Sequence, residues 1–290
     1  MTLKLKNMSS FKSKTVLVTG GASGLGKLMA KKALQRRAKS VILWDIDEIK
    51  LNETTAEFEK KGYTVHPYIV DVSNKDDIDW AAQDVLANIG EVDILFNNAG
   101  IVAGSKLFVE HTDRDMQATM DINVLGVMRV AKAFLPAMLQ QGFGHIINIA
   151  SAAGLVANPN MSVYAASKWA VIGWSESLRL EMETDAPNVK VLTVTPSYIN
   201  TGMFEGVKPP LLTPMLEPEE FVERVMKGIE RNEINLKAPF VVNALPILKG
   251  VLPTRIFDVV AGDIFGVYKS MDTFKGKGKG KGKEKASLED

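Results

Sequence analysis

Tyr164 and Lys168 stand four residues apart in a stretch that reads as a helix. Four residues is about one helical turn, so the two side chains project from one face. A free tyrosine is almost wholly protonated at neutral pH, but an adjacent ammonium favours the phenolate and is expected to draw its pKa toward the working range. Such a pair can exchange a proton with a bound molecule. Ser151 ends the β-rich run HIINIAS. From there its hydroxyl can project into a crevice and hydrogen-bond an oxygen on which charge develops. Taken alone, a serine after a strand more often caps a turn.

A second cluster of residue types points to phosphate. The segment TGGASGLG, residues 19–26, places Gly20, Gly24 and Gly26, with Ser23 and Leu25 between them, after a short apolar run and before a helical one. Without side chains, backbone amides and a helix N-terminus can meet a pyrophosphate directly. The bland alternative is a tight turn. Asp45 ends the second β-rich run, where a carboxylate can accept hydrogen bonds from both adenosine ribose hydroxyls and repel a 2′-phosphate. The turn offers Ser23 rather than Arg or Lys, so NAD is expected in preference to NADP. Asp45 could instead cap a helix starting near Glu48, a role open equally to Asp47. Asn97-Asn98-Ala99-Gly100 follows the fourth run, where small side chains leave room for adenosine and the amides can lock neighbouring strands.

These residues need a frame. Of 290 residues, 46% are hydrophobic and 24% charged, which suits one large α/β domain. Short β-rich runs at Thr15–Gly20, Val41–Trp44, Thr64–Val70, Val92–Phe96, His145–Ala150 and Val189–Thr195 alternate with helix-length segments, among them Lys27–Arg37, Asp113–Gln141 and Pro218–Arg231, and a last strand is expected near Pro239–Val242. Strands apolar on both faces and linked by helices imply a doubly wound parallel sheet of about seven strands, whose ligand crevice lies at the strands' carboxyl ends. From Met203 the alternation loosens, and substrate specificity is expected there. Residues 245–271 are apolar but broken by Pro246, Gly250, Pro253, Gly262 and Gly266, which argues against a membrane span and for short surface helices.

Together, TGGASGLG at 19–26, NNAG at 97–100, Asn123, Ser151 and Tyr164-x-x-x-Lys168 resemble the short-chain dehydrogenase/reductase family, in the family's order from about residue 14 to 242. The resemblance implies a Rossmann-type α/β fold and interconversion of an alcohol and a ketone or aldehyde by hydride transfer. In it Tyr164 is the general acid/base, Lys168 also binds the nicotinamide ribose, Ser151 holds the substrate oxygen and Asn123 holds a relay water. It further implies that Asp71 contacts adenine with Val72 beside it, and that Ile199 and Thr201, in the segment Pro196–Thr201, cover the nicotinamide amide. Ser197 stands there where the family usually has Gly. LWDI at 43–46 and FGVYKSMD at 265–272 are similar to the retinol and 17β-hydroxysteroid dehydrogenase branch, which implies a lipophilic alcohol such as a retinoid, a steroid or a long-chain alcohol. A homodimer or homotetramer built on the helices carrying Asn123 and Tyr164 is implied by the resemblance alone.

Residues 1–13 then form an N-terminal extension, 14–242 the catalytic domain, 243–274 an apolar C-terminal extension and 275–290 a tail expected to be disordered. The tail holds six Lys against Glu284, Glu289 and Asp290, a net +3. The whole chain carries +1, so the remainder carries +1 minus 3, or −2, and no nucleic-acid partner is expected. The apolar extension and basic tail could rest on an anionic membrane; a packed extension and a solvated tail fit equally. No Cys is present, which excludes disulfides and thiolate catalysis and permits a cytoplasmic location. His66, His111 and His145 lack metal-ligand spacing, so no metal is assigned. Rival functions are reduction of small ketones, diketones or 3-oxoacyl thioesters, a non-catalytic dinucleotide sensor, and a scaffold.

Overall fold

The computed structural model describes residues 8–204 and 206–274; residues 1–7 of the expected N-terminal extension and the whole tail expected to be disordered lie outside them. Seven strands, β1 (Thr15–Thr19), β2 (Ser40–Asp45), β3 (Val65–Ile69), β4 (Ile94–Asn97), β5 (Gly144–Ile149), β6 (Val189–Pro196) and β7 (Asn235–Ala238), form one parallel sheet in the order β3-β2-β1-β4-β5-β6-β7. The helices are α1 (Gly24–Gln35), α2 (Glu48–Glu59), α3 (Lys75–Asn88), α4 (Asp113–Met120), α5 (Val127–Gln141), α6 (Ser162–Asp185), α7 (Pro218–Glu230), α8 (Leu245–Val251) and α9 (Thr254–Asp258).

Strand alternation decides which helices cover which face. Val16 and Val18 of β1 pack with Val41 and Leu43 of β2 against Met29 and Ala33 of α1, Phe58 of α2 and Phe221, Val225 and Ile229 of α7. Leu17 and Ile42 point the other way, against Ile78 and Val85 of α3, Phe134 and Met138 of α5 and Leu178 and Met182 of α6. Both faces are thus apolar, as a parallel sheet wrapped by crossover helices requires. Pro67 is tolerated because β3 is an edge strand. The strand order reverses between β1 and β4, and the crevice opens at that switch point.

Two segments depart from the pattern read in the sequence. The last strand is Asn235–Ala238 rather than Pro239–Val242. Its ladder with β6 ends at Ala238, since Pro239 has no N–H to donate, and Phe240–Ala244 coils into a helical turn. The run Asp113–Gln141 is not one regular helix: a π-helical turn, Asp121–Gly126, separates α4 from α5. Gly126 stands where a Cβ would lie 2.6 Å from the Val72 carbonyl oxygen, so only glycine allows that approach. This run is long and apolar enough to cross a membrane, yet 44% of its most apolar window is buried in the fold, with Phe134 and Met138 fully enclosed.

Chain on both sides of residues 14–242 joins the packing. Phe11 is buried in the α1/α7 layer, and the Ser9 N–H donates to the Glu230 carbonyl. Met271 is buried beside Tyr164.

Candidate active site

A cleft open to solvent runs along the carboxyl ends of β1 to β6. It is lined by Gly20, Ser23, Gly24, Leu25, Asp45, Asp71, Val72, Asn98, Ala99, Gly100, Ser151, Tyr164, Lys168, Ile199 and Thr201. Of the residues singled out in the sequence, Gly26, Asn97 and Asn123 do not line it; Gly26 and Asn123 lie directly behind its wall. An added Cβ on Gly26 would overlap the Gly20 carbonyl oxygen and come within 2.7 Å of Asn98 Nδ2. Gly20 holds a φ of +65°. Asn98 Nδ2 donates to the Thr19 carbonyl at 2.9 Å, and the Thr19 hydroxyl accepts from the N–H groups of Asn98 and Ala99, so the NNAG segment clamps the glycine turn. Next door, Asn97 Nδ2 donates to Asn148 Oδ1 at 2.9 Å and ties β4 to β5.

The turn fits a pyrophosphate. Nothing lies within 4 Å of where a Cβ of Gly24 would sit, Ser23 makes no side-chain cap, and the first turn of α1 holds no acidic residue. Amides and helix dipole at this end are therefore open to an anion. At the end of β2, Asp45 accepts from the Ala22 N–H at 2.9 Å and from the Asp47 N–H at 3.0 Å. It does not cap α2; Asp47 does, accepting from the Lys50 N–H. Lys50 also lines the cleft and is ion-paired to Asp47, a cation that the sequence pattern gave no reason to place here because it lies a helical turn beyond Asp45. Asp71 accepts from the Ser73 N–H and hydroxyl and so shapes the loop carrying Val72.

Helix α6 brings Tyr164 and Lys168 under the cleft, both buried. Lys168 Nζ donates to the Ile149 carbonyl at 2.9 Å and lies 5.7 Å from the Tyr164 ring centroid. Ser151 hydrogen-bonds the Tyr164 hydroxyl and accepts from the Ala153 N–H. The expectation that the ammonium draws the tyrosine down is not met in this state. Burial pushes Tyr164 up to about 12, outweighing the Ser151 hydrogen bond that lowers it. Burial instead brings Lys168 down to about 8. Asn123 sits in the π-helical turn with its side chain spoken for: Oδ1 accepts from the Ile101 N–H at 2.8 Å, and Nδ2 donates to the Ile101 carbonyl and to Ser167 Oγ. The Ser197 N–H donates to the Ala238 carbonyl, which anchors the segment leading to Ile199 and Thr201 onto β7.

Beyond the tyrosine lies a second, apolar cavity. Ser151, Tyr164, Ser197 and Phe204 line both spaces, so the Tyr164 side chain stands at their junction. Most of the cavity wall escaped the sequence pattern. Phe204, Leu211, Leu245, Leu248, Phe257 and Phe265 close it from the irregular C-terminal third, where apolar residues without period reveal burial but not which space they surround. The short helices expected over 245–271 are present, and their inner sides roof this cavity.

A family model described as short chain dehydrogenase matches residues 14–211. Among curated proteins, estradiol 17-beta-dehydrogenase 11 of Pongo abelii is 39% identical over 88% of this chain and 84% of its own length. Epidermal retinol dehydrogenase 2 of Mus musculus is 36% identical over 90% of this chain and 85% of its own. Among solved structures, a short-chain dehydrogenase/reductase from Burkholderia phymatum in complex with NAD superposes with a TM-score of 0.76 at 26% identity, covering 84% of this chain and 95% of that one. A short-chain dehydrogenase from Sphingobium yanoikuyae in complex with NADPH gives 0.71 at 28% identity over 82% and 92%.

Proposed function

From the premise that the chain belongs to the short-chain dehydrogenase/reductase family and is an oxidoreductase using a nicotinamide dinucleotide, we propose that it interconverts a lipophilic alcohol and its carbonyl compound with NAD. The observation that carries this reading is the junction at Ser151 and Tyr164, where a cleft with an anion-ready turn meets a cavity walled by Leu and Phe. The likeness to a retinol dehydrogenase and an estradiol dehydrogenase supports an apolar substrate. A lining of this kind suits the apolar body of a lipophilic ligand.

The bound dinucleotide supplies hydride acceptance in oxidation and hydride donation in reduction. The chain's own part is positioning and proton transfer. Gly20, Ser23, Gly24, Leu25 and the close packing at Gly26 would hold the pyrophosphate; Asp45 the adenosine ribose; Asp71, Val72, Asn98, Ala99 and Gly100 the adenine side; Lys168, Ile199 and Thr201 the nicotinamide end. Ser151 donates toward the substrate oxygen, and Tyr164 gives or takes the proton there. Because burial keeps Tyr164 protonated, the resting protein is the acid form ready for carbonyl reduction. Alcohol oxidation requires that proton to leave first. Any relay water at Asn123 would bind its main-chain carbonyl, since the side chain is engaged.

NAD preference rests on Asp45 and on the engagement of Lys50 by Asp47. Residues 14–242 serve as the catalytic domain and 243–274 as its roof. A cytoplasmic homodimer or homotetramer is consistent with the exposed Leu125, Leu139, Trp169 and Leu180 near and on α5 and α6. Peripheral membrane contact would use the outer side of residues 243–274.

The test is absorbance at 340 nm with NAD or NADP and alcohols of rising chain length, a retinoid and a steroid included. NADH should form with activity rising along the series, and Tyr164→Phe should lower turnover by roughly 10²–10⁴-fold. Tight NAD binding with no turnover in either direction would leave the sensor reading standing instead.

A further inference from the structure

One extended segment of the chain serves both spaces. Tyr198 lines the apolar cavity, whereas its neighbours Ile199 and Thr201 line the cleft. The backbone here is pinned: the Ser197 N–H donates to the Ala238 carbonyl at 2.7 Å, the Leu216 N–H to the Tyr198 carbonyl and the Asn200 N–H to the Leu216 carbonyl. Tyr198 also reaches across to the C-terminal roof. Its hydroxyl stands 2.7 Å from Ser270 Oγ, and Asn158 Nδ2 donates to both oxygens, at 3.2 Å and 2.9 Å. Ser270 Oγ gives its own proton to the Val267 carbonyl at 2.6 Å, so between the two hydroxyls the tyrosine is the donor. Two backbone bonds continue the seam, from the Lys208 N–H to the Ser270 carbonyl and from the Leu211 N–H to the Phe265 carbonyl.

Tyr198 packs in an apolar cluster with Met161, Phe204, Val207 and Met271, which also encloses Tyr164. Apolar packing has no direction and tolerates sliding. Hydrogen-bonded groups in a dry setting hold one geometry, because a displaced group loses its partner and gains no water in exchange. Ser270 and Asn158 are both buried, so this knot is of the second kind. A shift of the segment at Tyr198 therefore carries Ser270 with it or breaks the knot. On the roof side, Phe265 and Val267 wall the cavity and are tied to the same seam. The two ends of one hydrogen-bonded unit thus border the two ligand spaces.

We infer that Tyr198 and Ser270 are positioning residues that couple the two spaces: ordering of residues 199–201 on the dinucleotide fixes the cavity roof through the Tyr198–Asn158–Ser270 knot, and a ligand under the roof fixes the segment in return. The inference rests on the assignment of Ile199 and Thr201 to the nicotinamide end made above. Coupling between two sites is reciprocal, so each ligand tightens the other by the same factor. Tyr198 and Ser270 act through the segments they join and need touch neither reacting atom.

Hydrogen exchange of the wild type, Tyr198→Phe and Ser270→Ala, each with and without NADH, reads the relay without turnover. In the wild type NADH should slow exchange at residues 197–201 and, across the knot, at 265–274; in either variant it should slow only the first. Slowing confined to 197–201 in the wild type, or slowing at 265–274 that survives in both variants, overturns the inference and leaves the coenzyme assignment standing. No slowing at 197–201 with NADH bound removes that assignment and the inference with it. Fluorescence titration of NADH with and without dodecanamide, an unreactive long-chain analogue of a carbonyl product, measures the coupling itself. The amide should tighten NADH by about tenfold in the wild type and by less than about twofold in either variant. A knot that serves only the stability of the fold would lower the denaturation midpoint of the variants and leave that factor at its wild-type value, which overturns the inference. If one variant does not fold, the other decides, since they remove hydroxyls from opposite ends of the knot. An amide that fails to bind counts against the lipophilic-substrate reading, and the exchange pattern with NADH then decides the coupling.

Discussion

At the scale of single residues, the Tyr164–Lys168 pair shows how burial alters a reading made from spacing. Four residues on a helix correctly implied one face, but the sign of the tyrosine's shift depends on whether desolvation or the ammonium wins, and depth is invisible in a spacing. Here Tyr164 rises to about 12 and Lys168 falls to about 8. Linkage gives this a measurable consequence. Between pH 8 and about 10.5 the unfolded chain keeps a proton on Lys168 that the folded chain has lost, so stability rises with pH across that window and is flat below it on this account. Tyr164 acts in the opposite sense at higher pH: between about 10 and 12 the unfolded chain loses its proton first, and stability falls. Denaturant midpoints of the wild type and Lys168→Met at pH 7, 8, 9 and 10 should show the wild type gaining on the variant only above pH 8. A constant offset at every pH would mean that Lys168 is not the depressed group. Asp45 carries a second residue-scale prediction. Asp45→Asn keeps one acceptor for the Ala22 or Asp47 N–H but removes the charge, and should narrow the preference for NAD over NADP by about tenfold, measured as the ratio of kcat/KM values. A wild-type protein that prefers NADP would instead assign the 2′-phosphate to Lys50.

At the scale of elements, the π-helical turn at Asp121–Gly126 packs directly behind the cleft wall. It places Asn123 against Ile101 and Ser167 and lets Gly126 pass close to Val72 of the cleft wall. An added methyl at Gly126 meets backbone, which cannot swing aside as a side chain can. Gly126→Ala should therefore cost about 1–3 kcal/mol of stability and weaken dinucleotide binding, read by a denaturation curve and by NADH fluorescence titration. Gly173→Ala, where nothing lies within 4 Å, is the comparison and should cost little. The π-helical turn was not legible in the sequence, since Asp113–Gln141 has one continuous apolar period and an i+5 turn leaves no compositional mark. What was legible is the part governed by local pattern. The first six strands are found where alternation and flanking turns put them, and the glycine turn, NNAG, Ser151 and Tyr164 come to one cleft because each ends a strand of the same sheet or lies on the helix below it. The seventh strand was displaced by four residues because apolar Phe240–Val242 looks more like a strand than Asn235–Ala238, and only pairing with β6 selects the latter. Asn158, Tyr198 and Ser270 are far apart in sequence and meet only once the C-terminal segment folds back, so no spacing could have joined them.

At the scale of the whole molecule, the C-terminal segment faces two ways. On α8, Leu245 and Leu248 face the apolar cavity while Ile247 and Val251 are 68% and 76% exposed, and Phe240 just before it is 83% exposed. A helix apolar on both sides has one side covered by the fold and another whose contact with water is unfavourable, and such clustered exposure marks an interaction surface. The six lysines of residues 275–290 follow it closely in sequence. Apolar side chains and basic groups make separable contributions to a membrane surface: burial of apolar area acts on any bilayer, while each lysine adds about 1 kcal/mol only where the lipid is anionic and only at modest salt. Cosedimentation with vesicles should therefore show binding that is strongest with anionic lipid at low salt. Removing residues 275–290 should abolish the difference between anionic and neutral vesicles. The triple variant Phe240→Ser, Ile247→Ser, Val251→Ser should weaken binding to both. If the full chain ignores anionic vesicles at low salt, membrane contact is wrong, and the same exposed residues are then to be sought in a subunit interface by measuring mass in solution. If it binds, the roof of the cavity lies against the bilayer, and a lipophilic alcohol can pass from lipid to Tyr164 without crossing water, so vesicles should lower KM for long-chain alcohols and leave it unchanged for short ones.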